Sequence, residues 1–334
     1  MNTRIWCEFA KPLEVCNTNV LEVFKEHNIS LNYRLGYGED SSDFYKMLET
    51  YNRNGIPVSI WATLSDDMGY WINERNAMNF FDYIKRLLSE IEKRGLSIKG
   101  FCIDMESPLE DIRRIASPRH KLEPIIAYAK MLTSNLNKSR FRNSLNVLKE
   151  AASYIKEKGL EGYATCIRHS YYDLRFGSEI MQNALEIPVF QVPWDKYNLM
   201  YYATMIRAEL GKYKKVDVDY LIYHQVSYLK EVLKDKLAVS VGLTNIGKLG
   251  NEPYYESMDE FEKDIGILKE CGVDDFSLFS LDGIMNDRVR LEDFLIRMKR
   301  AKPHKPEPCR RVHRNEVLLG YMMNLGKLYY QLRR

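Results

Sequence analysis

No two cysteines in this chain are spaced to share a metal or a redox bridge. Cys7, Cys16, Cys102, Cys166, Cys271 and Cys309 are scattered without a CxxC pair, and three of them fall in strand-like runs. They read as reduced thiols of a cytoplasmic protein, with no zinc site expected. No apolar run approaches the roughly 20 residues of a membrane span. The opening MNTRIWCEFAKPLE lacks a basic-then-apolar secretion pattern. No G-x-G-x-x-G or G-x-x-x-x-G-K-[ST] follows any candidate strand, so no nucleotide cofactor is expected, nor any other. Charge of one sign is also scarce: 49 basic against 46 acidic residues leave a formal +3, no reason to expect nucleic acid.

What is present is an alternation. The 334 residues are 45% hydrophobic, enough for a large core. Strand-like runs occur at Thr3 to Phe9, Ser30 to Leu35, Pro57 to Leu64, Ile98 to Glu106, Glu161 to His169, Tyr197 to Ala203, Leu237 to Leu243 and Asp275 to Leu281. Amphipathic stretches with capping signals separate them, such as Asp40-Ser41-Ser42 and the box at Ser257-Met258-Asp259-Glu260. Eight strands alternating with helices predict an α/β fold, a (β/α)8 TIM barrel over 1–300, with a doubly wound open sheet as its competitor. The stretch from Asp111 to Lys158 is longer than one crossover needs, so a helical segment is inserted after strand four. Residues 301–314, AKPHKPEPCRRVHR, form a proline-rich basic linker. Residues 315–334 form an extra C-terminal helix, packed on the barrel or on a second copy as a homodimer. A membrane partner is not expected.

The most informative stretch is Ile98 to Pro108. Strand alternation puts Phe101, Ile103 and Met105 on one face and Gly100, Cys102, Asp104 and Glu106 on the other. The second face is small at its base and acidic at its C-terminal end, the end where a barrel carries its active site. The two carboxylates are roughly 7 Å apart along the strand. Close carboxylates push each other's pKa values apart, so Glu106, nearer the mouth, is the expected general acid and Asp104 the orienting carboxylate. By the same rule of strand ends, Glu8, Arg34, Trp61, Arg168 and Asp282 are candidate substrate contacts, and His169 a possible base. Glu8 and Arg34 are equally able to pair with each other, and Trp61 to pack the core.

The end of this stretch resembles the fourth-strand motif D-x-x-D-x-D-x-E of family 18 glycoside hydrolases, the chitinase-like barrels. Asp104 and Glu106 match its last two acids, while Lys99 and Cys102 stand at the first two. Met200-Tyr201-Tyr202 is similar to the sixth-strand M-x-Y, with Ala203 where an acid usually follows. Phe279-Ser280-Leu281-Asp282 looks like the eighth-strand aromatic-to-Asp run. The resemblance implies Glu106 as proton donor, Asp104 positioning a substrate N-acetyl group that attacks in place of an enzyme nucleophile, and Tyr202 as hydrogen-bond partner of that group.

The resulting expectation is a glycosidase-like hydrolase acting on a sugar or oligosaccharide. Three others stay open. One is a metal-dependent isomerase, lyase or hydrolase using Glu8, Asp104, Glu106, His169 and Asp282 with Mg²⁺ or Mn²⁺. Another is a non-catalytic carbohydrate-binding barrel. The last is a phosphosugar enzyme using the loop Asn245 to Gly250.

Overall fold

The computed structural model describes residues 1–116, 135–211, 215–245 and 252–332. Eight parallel strands close into a barrel in sequence order: β1 (Asn2–Cys7), β2 (Ile29–Gly36), β3 (Val58–Thr63), β4 (Gly100–Met105), β5 (Glu161–Ile167), β6 (Lys196–Met200), β7 (Leu237–Gly242) and β8 (Asp275–Phe279). β1 pairs with both β2 and β8, which completes the ring. The barrel expected from the alternation is therefore the fold, and the open sheet is excluded.

The pleat divides each strand as its sequence dictates. Ile5, Cys7, Leu31, Tyr33, Phe101, Ile103 and Met105 join one large apolar cluster with the surrounding helices. Trp6, Trp61, Cys102, Tyr163 and Ala238 form a separate cluster inside the barrel. Below that aromatic layer, the floor is ionic. Arg4 is 1% exposed; its guanidinium reaches Glu161 at 2.6 Å and Asp275 at 3.2 Å, and stacks on Tyr163 at 4.2 Å. Lys196 adds a contact to Asp275 at 3.0 Å. Gly100 is required here, because a Cβ on it would meet the carbonyl oxygen of Glu161 at 2.1 Å.

Several boundaries differ from expectation, each for a local reason. β5 stops at Ile167, and Arg168–Ser170 form a 3-10 turn that leads into the helices Tyr171–Phe176 and Ile180–Leu185. β6 and β8 end at Met200 and Phe279, so Tyr202 and Leu281 lie beyond the ladder. Leu243, one residue past the end of β7, lines the mouth of the barrel. The inserted segment shows helices at Leu109–Ala116 and Lys138–Glu157; most of the run Leu122 to Leu136 lies outside the described residues, as do 246–251 of the glycine-bearing loop. The C-terminal helix starts at Arg310 rather than 315, directly after the last proline, Pro308, and its neighbour Cys309. It docks on the barrel helices through Val312, Glu316 and Met323, while Leu318, Tyr321, Leu325 and Leu328 face outward.

Breaking the floor is expected to be costly. Arg4→Ala leaves Glu161 and Asp275 without their shared cation, and a broken buried pair costs about 3–5 kcal/mol. Urea unfolding should show that loss; a change under about 1 kcal/mol would mean that Lys99 and Lys196 already neutralise the floor.

Candidate active site

A cavity of about 330 Å³ opens at the C-terminal end of the strands. Its position follows from the layers beneath it: ion pairs seal the floor, the Trp6 and Trp61 rings meet edge to face at 5.1 Å, and polar groups crown them. Trp6 donates its indole N–H to Ser240 at 3.1 Å, and Asn198 bridges Thr165 and Ser240 at 3.0 and 2.7 Å. These bonds join β1, β5, β6 and β7 into a rigid platform.

Asp104 and Glu106 both line the cavity. Asp104 is 5% exposed, and its Oδ1 has no hydrogen-bond partner. Neither carboxylate is paired with a cation among the described residues. Their backbone is held from the side by the loop after β3. Ile72 N–H donates to the Asp104 carbonyl at 3.0 Å, and Glu106 N–H donates to the Ile72 carbonyl at 3.2 Å, so one residue of that loop acts as a short parallel strand beside β4.

Burial, then neighbouring carboxylates, pushes both acids above the usual range: Asp104 feels Glu8, and Glu106 feels Asp104, Glu8 and Glu252. The Trp61 indole lies near enough to favour ionised Asp104, although its Nε1 makes no hydrogen bond of normal geometry. The Trp61 contact acts on Asp104 alone, so of the two acids Glu106 is the one pushed further toward its protonated form. Tyr202 also lines the cavity, and its ring lies 5.6 Å from that of Phe279. Burial and the two acids raise its phenol well above the usual range, so it remains an O–H donor.

The remaining candidates separate. Glu8, Trp61 and Arg168 line the cavity; Arg34 and Asp282 do not. Arg34 and Glu8 do not pair directly. Arg34 donates to the Tyr70 hydroxyl at 3.1 Å, and that hydroxyl donates to Glu8 at 3.0 Å. Tyr70 holds a left-handed backbone, φ 59°, a costly conformation for a non-glycine residue. Asp282 accepts backbone N–H groups of Glu8, Phe9 and Ala10 at 2.8 to 2.9 Å, which clamps the exit of β1. Arg168 is bound to Glu209 at 2.6 Å. His169 lines the same wall, and burial followed by Arg168 holds its imidazole well below its ordinary value, in the neutral form.

Phe279, the aromatic of the eighth-strand run, lines the cavity as well, together with Glu252, Glu209 and Trp71, none of which is at a strand end. Trp71 lies in the loop after β3, beside Tyr70. Glu209 and Glu252 lie far from any strand end in sequence, and nothing in their neighbours distinguishes them. Glu74, in the same loop as Trp71, turns away and joins Arg140 at 2.9 Å and Asn183 at 3.0 Å. Among the described residues, no three His, Cys, Asp or Glu side chains are grouped to hold a metal ion.

Two solved structures share this architecture over most of their length. The PgaB (BpsB) glycoside hydrolase domain from Bordetella bronchiseptica has a TM-score of 0.53 and 8% identity, covering 88% of this chain and 98% of its own. Group II chitinase catalytic domain 2 of Ostrinia furnacalis has a TM-score of 0.52 and 10% identity, covering 92% of this chain and 99% of its own. At such identities the likeness is one of fold. No protein-family model matches the chain, and no curated protein does.

The raised carboxyl of Asp104 has a consequence for stability. A group whose folded pKa is raised binds its proton more tightly in the folded chain, so stability is lost as pH rises from the unfolded value near 4 through the folded one. Asp104→Asn removes that loss. Its melting temperature should exceed wild type at about pH 9, by the equivalent of about 1–3 kcal/mol, and match it near pH 4. A variant less stable than wild type at both pH values would mean that Asp104 is favourably solvated or paired.

Proposed function

We propose that this chain is a glycoside hydrolase whose general acid is Glu106. The observation that carries the reading is a pair of carboxylates, unpaired with any cation among the described residues, at the mouth of an aromatic-walled barrel. An acid must arrive protonated at neutral pH, and the burial and mutual repulsion of Asp104 and Glu106 provide that. Trp71, Trp61 and Phe279 offer apolar faces for a sugar ring, and Tyr202 offers a hydroxyl donor beside the acids.

In the reaction, Glu106 gives its proton to the glycosidic oxygen as the bond to the anomeric carbon breaks. A 2-acetamido oxygen of the substrate attacks that carbon, while ionised Asp104 orients the acetamide N–H and stabilises the charge it gains. Glu106, now a carboxylate, takes a proton from the water that opens the cyclic intermediate. Two inversions leave the anomeric configuration retained. The fold likeness to a glycoside hydrolase domain and a chitinase domain supports a sugar as the reacting group. Lys99 and Cys102 do not weaken the mouth: Cys102 lies in the aromatic layer below it, and Lys99 is 3.7 Å from Glu161 at the floor.

The test is hydrolysis of a panel of 4-nitrophenyl and oligomeric N-acetyl-β-hexosaminides. General acid catalysis contributes about 10²–10⁴-fold, so Glu106→Gln should lose that much kcat/KM on oligomers and less on the nitrophenyl glycosides, whose leaving group needs little protonation. Wild-type kcat/KM should fall on the alkaline side as Glu106 loses its proton. Cleavage unaffected by Glu106→Gln would sink the assignment.

A further inference from the structure

A second cavity, of about 640 Å³, lies beside the mouth and beneath the C-terminal helix. Leu319, Met323 and Gly326 of that helix form its roof, and Ile180, Met181 and Leu221 form its walls. Pockets of this size with predominantly apolar walls and few polar groups are typical of small-molecule sites. Glu316 closes one end; its Oε2 accepts from Tyr171 at 3.1 Å, and its Oε1 is buried without a hydrogen bond. The same three residues, Arg168, His169 and Glu209, line this cavity and the mouth. The two spaces therefore share a wall, and that wall is an ion pair. Arg168 is buried, whereas Glu209 is half exposed at the last position of the helix Ala203–Glu209. Glu209 is thus the more exposed member of the pair, and its displacement would join the two spaces.

Resting on the hydrolase reading above, we infer that the substrate is an amphiphilic glycoside: its sugar occupies the acid-lined mouth and its aglycone, an alkyl chain, fills the apolar cavity under the C-terminal helix. The cavity is the wrong chemistry for further sugar units, which need hydrogen-bond partners along their length. Apart from the shared wall, its polar lining is limited to Tyr172, Asp217, Asn315 and Glu316, among mainly aliphatic and methionine side chains. A chain of methylenes needs only the apolar surface. The arrangement also gives the C-terminal helix a role in substrate choice, since that helix supplies the roof.

Calorimetric titration with methyl, butyl and octyl 1-thio-N-acetyl-β-glucosaminides, which resist hydrolysis, tests this directly. Each buried methylene is worth roughly a fourfold gain in affinity, so the octyl compound should bind at least about 100-fold tighter than the methyl one. Gly326→Phe places a ring in the cavity from a position where a Cβ meets only Ile180 Cδ1, at 3.5 Å. It should cut the octyl advantage at least about tenfold and leave the methyl affinity unchanged, whereas Gly326→Ala should retain it. Equal affinity across the wild-type series would overturn the inference, whether or not the phenylalanine variant folds. So would 1-octanol binding as tightly as the octyl glycoside, because the chain would then sit apart from the sugar. The readout is binding and does not involve Glu106, so failure of the acid assignment and failure of this one are separable.

Discussion

Arg4 is buried where the strands converge, and it is tolerated there because Glu161 from β5 and Asp275 from β8 reach it from different sides. That arrangement does more than neutralise a charge. It ties three strands at the floor, so the inward residues above it are held in fixed layers. Interior packing is dense enough that one layer positions the next. With Trp6 and Trp61 locked over the floor, Asp104 and Glu106 cannot retreat into the barrel and must face the mouth. At one end of the barrel buried charge is compensated; at the other, two carboxylates have no cation among the described residues. The contrast between the ends is what makes the mouth chemically distinctive.

Carboxylates buried without a partner cation are costly, and perturbed acids of this sort gather at functional sites. The chain surrounds the cost with rigid support. Tyr70, in a left-handed conformation, connects Arg34 to Glu8, and Asp282 holds the backbone on which Glu8 rides. Two residues that looked like substrate contacts in sequence therefore serve one step back, by fixing a residue that lines the cavity.

The eight-strand alternation was legible because inward and outward residues differ in kind: Trp6 and Arg4 against Ile5 and Cys7, Asp104 against Ile103. The location of the acids was legible for the same reason, since a carboxylate on the inner face near the strand end has only the mouth to occupy. What could not be read was anything set by distance across the barrel. Arg34 is inward, but whether it meets Glu8 or Tyr70 depends on a loop more than thirty residues away in sequence. Glu209 and Glu252 enter the site from helix and loop positions with no periodic signal. Strand ends were blurred where β-rich sequence continues past the last ladder bond, as at Tyr201-Tyr202 and Arg168-His169.

The bridge between Ile72 and β4 bears on how such a barrel can diversify. Loops at the mouth are usually the freely varied part of this architecture. Here the loop after β3 is fused to the strand that bears the acids, through two main-chain hydrogen bonds that any residue except proline at position 72 could make. Exchange of the side chain at position 72 therefore leaves these bonds in place, whereas an insertion or deletion in the loop would shift the strand end that bears the acids. The mouth thus holds one loop whose length, more than its residue at position 72, is fixed by the strand beside it.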